Sequence, residues 1–136
     1  MKLLVGFVTS VLVAATLSLG FAAPAQAKCD NYGPCLDTRL SAWSTKNPIK
    51  PRRRAPFAAR LKAENGASPN AHLYIRVKRR SNGNVVWRGS RFYDGGRETY
   101  RTGRLPRGRF RVHVRAVPVR DRFENARAIF GQRVRR

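Results

Sequence analysis

The chain has 136 residues, of which 29 are lysine or arginine and only 7 are aspartate or glutamate, giving a formal net charge of +22. A chain of this length is near the usual size of one domain with one modest core, which argues against a multidomain protein. The one-sided charge favours a polyanion or an acidic protein as partner, because such a field attracts anions whatever the fold.

Residues 1–27 have the layout of a secretory signal peptide. Lys2 precedes an apolar run that ends near Ala23, and Ala25-Gln26-Ala27 supplies a small-residue cleavage site. The run is also long enough for an uncleaved membrane anchor, for which about 20 residues suffice. The cleavage site favours removal, so we expect a secreted, extracellular protein that begins at Lys28. The mature chain then has 109 residues with a charge of +21, and no segment apolar enough to cross a membrane.

The two cysteines, Cys29 and Cys35, enclose five residues. Because an exported chain folds in an oxidising environment, we expect a disulfide between them. A disulfide that closes so short a loop stabilises the fold by only about 2 kcal/mol in the chain-entropy estimate. The bridge should therefore matter only for the N-terminus. Two cysteines without a nearby histidine do not make a zinc site, and we expect no metal and no cofactor.

Three segments follow one another along the chain. They are the signal peptide at residues 1–27, a cystine-containing segment with a basic, proline-rich linker at residues 28–56, and a β domain at residues 57–136. Residues 47–56 contain three prolines and four basic residues, which disfavours both a helix and a central strand. Three interpretations of the arginine triplet in this linker stay open: a flexible arm for an anionic ligand, a protease-sensitive site, or part of a solvated connector.

From Phe57 onward the apolar residues alternate with polar ones, which is the period of a β-strand. Six strands are predicted, at residues 57–63, 72–80, 85–87, 98–102, 109–117 and 127–134. Residues 38–43 are a candidate for a seventh. Asn82-Gly83 and Asp94-Gly95-Gly96 predict turns between them. The pattern predicts an all-β fold, a single antiparallel β-sandwich, with Trp87 as a large central side chain. We expect its core to contain Leu73, Ile75, Val77, Phe110, Val112 and Val114.

Residues 105–117 resemble the turn and penultimate strand of fibronectin type III and other immunoglobulin-like domains. Leu105 and the turn Pro106-Arg107-Gly108 lead into a strand in which Phe110 and Val112 alternate with polar residues. The resemblance implies a fold and no particular chemistry. It also implies that the third and sixth strands, residues 72–80 and 109–117, are neighbours in one sheet.

If these two strands are neighbours, their outward side chains share one surface, because successive residues of a strand point to opposite faces. We call this surface the basic face; it consists of Tyr74, Arg76, Lys78, Arg109, Arg111, His113 and Arg115. Arg133 and Arg135 extend it if the last strand joins the same sheet. Like charges on adjacent strands destabilise a sheet, so an anionic ligand would relieve a cost. The alternative is a solvated strand face whose charge serves no site.

The sequence does not indicate an enzyme. Its only histidines are His72 and His113, and neither has a serine or an acidic residue at a spacing typical of a catalytic triad. The glycines lie in predicted turns rather than in a phosphate-binding loop after a strand. We therefore expect no catalytic residues.

Two functions fit these observations. The first is a secreted, non-catalytic module that binds anionic cell-envelope polymers or another polyanion, including nucleic acid without sequence specificity, through the basic face. The second is a secreted protein-binding module, an inhibitor or a cationic toxin-like factor, that contacts an acidic partner protein through loops at residues 81–84 or 92–96.

Overall fold

The computed structural model describes residues 35–136, which contain seven β-strands and no helix. The strands are β1 (Thr38–Ser44), β2 (Arg53–Ala63), β3 (Ala71–Arg79), β4 (Val85–Tyr93), β5 (Arg97–Leu105), β6 (Gly108–Pro118) and β7 (Ala126–Val134). Among these residues no helix is long and apolar enough to cross a membrane.

The strands form two antiparallel sheets with the orders β1-β2-β5 and β4-β3-β6-β7. The predicted antiparallel β-sandwich is confirmed. As in immunoglobulin-like sandwiches, the first, second and fifth strands share one sheet and the third, sixth and seventh share the other. β4 differs from the constant-type arrangement, in which the fourth strand joins the first sheet, because here it pairs with β3. As the resemblance implied, β3 and β6 are neighbours, with Tyr74 paired to Arg115 and Arg76 to His113.

The core lies between the two sheets and receives side chains from both. All six predicted core residues on β3 and β6 belong to it, and none is more than 1% exposed. Across the core, the ring of Phe57 on β2 lies 5.6 Å from that of Phe130 on β7, measured between centroids. The alternation of apolar residues along each strand therefore places one apolar layer per sheet, and the layers face each other.

A buried tyrosine links the end of β4 to β2. The Tyr93 hydroxyl accepts a hydrogen bond from the backbone N–H of Leu61 at 3.1 Å and lies 2.8 Å from the hydroxyl oxygen of Ser68. It also donates to the carbonyl oxygen of Gly96 in the turn before β5. Because these bonds join the β2–β3 and β4–β5 connections, they fix one end of the sandwich. No buried side-chain nitrogen or oxygen in the described part of the chain is left without a partner.

Trp87 is not the central core residue that the sequence predicted. It is half-buried on β4 and packs against the margin of the core. A Cβ atom added to Gly89 would come within 2.4 Å of its ring, and one added to Gly103 on β5 within 2.3 Å. Two glycines from the two sheets thus make room for the indole at the open side between β4 and β5. Strand periodicity does not reveal such a contact, because it depends on which strands become neighbours.

This arrangement predicts that Gly103→Ala lowers the free energy of unfolding by about 1–3 kcal/mol, the usual cost of overpacking. The new methyl group would displace the Trp87 ring. Gly131→Ala is the control, because a Cβ atom there meets nothing within 4 Å, and it should change stability by about 0.5 kcal/mol or less. Urea denaturation followed by tryptophan fluorescence measures both variants. Equal effects would contradict the placement of Trp87.

The sandwich extends further toward the N-terminus than the predicted boundary at residue 57. β1 begins at Thr38, and β2 begins at Arg53 inside the predicted linker. Between them, the Ile49 N–H donates to the Arg133 carbonyl and its carbonyl accepts from the Arg135 N–H, both at 3.0 Å. Pro56 is accommodated in β2 because it adjoins a bulge, where a proline is tolerated. Residues 47–56 are therefore part of the folded domain, with Ile49 and Ala55 in its core, and not a solvated connector.

The predicted signal peptide, residues 1–27, and Cys29 lie outside the described residues. Cleavage before Lys28 and the disulfide between Cys29 and Cys35 therefore stay predictions.

Candidate functional site

All seven residues of the basic face project from the outer side of the four-stranded sheet. Lys78 and His113 are half-buried and the other five are exposed. The register places Arg76 opposite His113 and Lys78 opposite Arg111. Directly opposed side chains have Cβ atoms about 4.5–5.5 Å apart. The positive charges are therefore held side by side by the backbone of the sheet.

The outer strands enlarge the basic face. Arg88 on β4 pairs with Arg76, while Arg127 and Arg133 on β7 pair with Arg115 and Arg109. The sequence indicated Arg133 but missed Arg88 and Arg127. Arg88 was missed because the predicted strand ended at Trp87, whereas β4 continues to Tyr93, and Arg127 because the alternation in the last strand is weak.

No aspartate or glutamate occurs in any of the four strands that form this sheet. The arginines and lysine of the basic face therefore have no acidic neighbour within their own sheet. Cross-strand repulsion is not compensated there, and an anion laid on the face would supply the missing negative charge.

An open groove of about 550 Å³ crosses the basic face. The side chains that line it include Tyr74, Arg76, Arg88, His113, Arg115 and Ile129. Tyr74 is 50% exposed and Ile129 is 60% exposed, so apolar surface lies among the guanidinium groups. The groove can contact the charged groups of an anionic polymer and also its uncharged parts, since arginine binds phosphate and carboxylate bidentately.

The pKa of His113 is sensitive to the positive charges around it. Its pKa is lowered below the ordinary value, first by partial burial and then by the positive charges of Lys78, Arg111 and Arg76. A neutral imidazole can donate one hydrogen bond and accept another. Because three cations contribute to the shift, an anion that neutralises them should raise this pKa again.

The aromatic part of the same surface lies toward one end of the sheet. Phe92 on β4 is 51% exposed, and its ring lies 5.4 Å from that of His72 on β3 in an edge-to-face arrangement. Aromatic rings of this kind can stack on bases or sugars.

The topology separates the acidic residues of the sandwich from most of its basic ones. All six acids of residues 35–136 lie at the end that carries the β2–β3, β4–β5 and β6–β7 connections: Asp37, Glu64, Asp94, Glu98, Asp121 and Glu124. We call this end the acidic pole. The opposite end, the basic pole, carries the β1–β2, β3–β4 and β5–β6 connections and the C-terminus. The sequence alone could not reveal the two poles, because the acids are spread evenly along it.

Like charges are crowded at both poles. At the acidic pole, the pKa of Glu124 is raised, first by the charge of Asp37, then by burial and by a hydrogen bond that its protonated form makes to Asp37, and then by Glu64. At the basic pole, Arg135 and Arg109 lower the pKa of Arg133. Among the described residues no group of three histidine, cysteine or acidic side chains could hold a metal ion.

No family model matches the chain, and no curated protein matches it. Among solved structures, the chain is similar to the CARDB domain of a Pyrococcus furiosus protein that was crystallised in complex with di-metal ions. The two are 14% identical, the match covers 82% of this chain and 100% of that domain, and the TM-score is 0.42.

Proposed function

We propose that this chain is a secreted, non-catalytic module that binds anionic cell-envelope polymers, or another polyanion, through the basic face. The observation that carries the proposal is the charge of the four-stranded sheet. Its outer surface presents rows of arginine and lysine across neighbouring strands, and none of its strands contains an acid. A polymer with regularly spaced negative groups could contact several of these rows at once.

The alternative is a module that contacts an acidic protein partner through its loops. Residues 92–96 end β4 and turn into β5 at the acidic pole, where Asp94 and Glu98 would repel such a partner. Residues 81–84 lie at the basic pole and do not have this difficulty. The four-stranded sheet has no acid in any of its strands. This favours binding through the basic face over binding through the loop at residues 81–84.

Binding of a polyanion should weaken steeply with salt, because each neutralised site releases counter-ions from the polymer. We expect the logarithm of affinity to fall linearly with the logarithm of salt concentration. The slope should be near −0.7 to −0.9 for each neutralised phosphate, roughly the values found for nucleic acids. Purified teichoic acid and an oligothymidylate are the two probes, and fluorescence anisotropy measures their affinity from low to high salt. The first probe represents an envelope polymer and the second a nucleic acid.

The ring protons of His113 give a second readout by NMR. Polymer on the basic face should raise the pKa of His113, because it screens the cations that now lower it. His72 lies at the aromatic end of the same sheet and serves as the internal comparison. A polymer that binds tightly and leaves the titration of His113 unchanged would contradict binding at the basic face.

A further inference from the structure

A second group of cationic side chains lies away from the basic face, at the basic pole on the side of the three-stranded sheet. Five arginines and Pro51 line an open groove of about 510 Å³ there: Arg52, Arg53, Arg54, Arg101 and Arg104. We call it the arginine groove. No acidic residue lines it. The first three arginines belong to the segment that the sequence predicted to be a linker.

The fold fixes the backbone at these arginines. The Arg52 N–H donates to the carbonyl oxygen of Leu105 at 2.8 Å, which ties the start of β2 to the end of β5. Arg54 lies directly opposite Arg104 in the register. The bulge next to Arg54 is fixed because the Ala55 N–H donates to the buried Thr102 hydroxyl at 3.0 Å.

Two features of the groove oppose stability. Arginines placed directly opposite each other on adjacent strands repel. In addition, Arg52 has a φ of +58°, a left-handed conformation that glycine adopts at much lower cost. Arg52 is the one non-glycine residue of the described chain with positive φ. Such strain at a charged cluster points toward ligand binding, since strained residues gather at ligand clamps.

We propose that the arginine groove is a second anion-binding site, which takes a short run of phosphate-type groups. Guanidinium groups bind such oxygens bidentately and stay charged at all relevant pH values. Several arginines converging on one concave surface can engage adjacent phosphates together. The site does not depend on the proposed function, because none of its residues belongs to the basic face.

The surroundings of the groove favour a run of charges over a single ion. A neighbouring groove of about 530 Å³ shares Arg53, Arg54 and Arg101 with it and adds Lys46, Lys50 and Arg135. The two grooves thus form one cationic path. A single phosphate could contact only part of this path, whereas a chain of phosphates could follow it.

Inorganic tripolyphosphate is the probe, titrated into the protein while backbone amide shifts are recorded by NMR. We expect saturable shifts at residues 52–54 and 101–105. Arg54→Gln with Arg104→Gln should weaken binding by about tenfold or more, because each charge-assisted hydrogen bond contributes strongly. Arg39→Gln with Arg60→Gln is the matched control: it removes the same charge from the same sheet outside the groove, and should change affinity by less than about twofold.

Arg52→Gly separates binding from folding. It removes one guanidinium and relieves the backbone strain, so the protein should stay folded in thermal denaturation while its affinity for tripolyphosphate falls. The proposal is wrong if the shifts spread over the whole surface without saturation, or if the groove variant and the control weaken binding equally. If the unaltered protein binds tripolyphosphate in the arginine groove but does not bind polymer at the basic face, only the proposed function is wrong.

Discussion

Replacing Phe110 by alanine should lower the free energy of unfolding by about 3–5 kcal/mol, the usual cost of truncating a buried phenylalanine. The side chain is 1% exposed and belongs to the core shared by both sheets. The guanidinium of Arg79 lies 5.4 Å from its ring centroid and covers the ring at the basic pole. Alanine would leave a cavity there, because the hydrogen-bonded strands around Phe110 can move only part of the way into the vacated space. Urea denaturation measures the loss as a lower midpoint.

Phe92→Ala is the matched control for this variant. It is the same chemical change in the same sheet, but the Phe92 ring is 51% exposed, so it should cost roughly 1 kcal/mol or less. A domain of this size has about 5–15 kcal/mol of stability in total, so the Phe110 variant should lose a substantial fraction of it. If both variants lost the same stability, the placement of the Phe110 side chain in the core would be wrong.

The orientation of β6 is also the clearest case in which the sequence sufficed. Phe110, Val112 and Val114 alternate with polar residues without interruption, and a one-residue slip would have exposed all of them. The same alternation in β3 predicted which of its side chains face outward. Together with the neighbouring position of the two strands, this placed all seven residues of the basic face on one surface.

The predictions that failed depended on contacts between distant parts of the chain. Trp87 has the size of a core residue, and only the approach of Gly103 on β5 shows that it closes the side of the sandwich. The linker looked unstructured because of its prolines, yet Ile49 is 5% exposed and hydrogen-bonds to the end of β7. Periodicity describes one strand at a time and contains no information about either partner.

The arginine groove could not be predicted from strand periodicity for the same reason. Arg52, Arg53 and Arg54 are adjacent in sequence, but Arg101 and Arg104 belong to a strand much further along the chain. They come together because β2 and β5 are antiparallel neighbours. The chain therefore carries two cationic surfaces, one on each sheet, and experiments that only vary net charge cannot tell them apart.

Replacing Arg76, Lys78, Arg111 and Arg115 by glutamine should weaken polymer binding and flatten its salt dependence. Each phosphate that is no longer neutralised should reduce the slope by about 0.7 to 0.9, so the four substitutions together should reduce it by about 3. Glutamine keeps most of the side-chain length and removes the charge. The fold should persist or gain stability, because cross-strand repulsion on the sheet is relieved. Fluorescence anisotropy with labelled teichoic acid over a salt series measures the slope.

The control must remove the same charges elsewhere. Replacing Arg39, Arg60, Lys62 and Arg120 by glutamine does so, since it also removes three arginines and one lysine, all of them exposed. None of the four lies on the basic face or lines the arginine groove. We expect this variant to keep most of the affinity and the slope of the unaltered protein, because screening by salt confines the effect of distant charges. If both variants lose affinity alike, the attraction follows net charge, and the basic face is not a binding site.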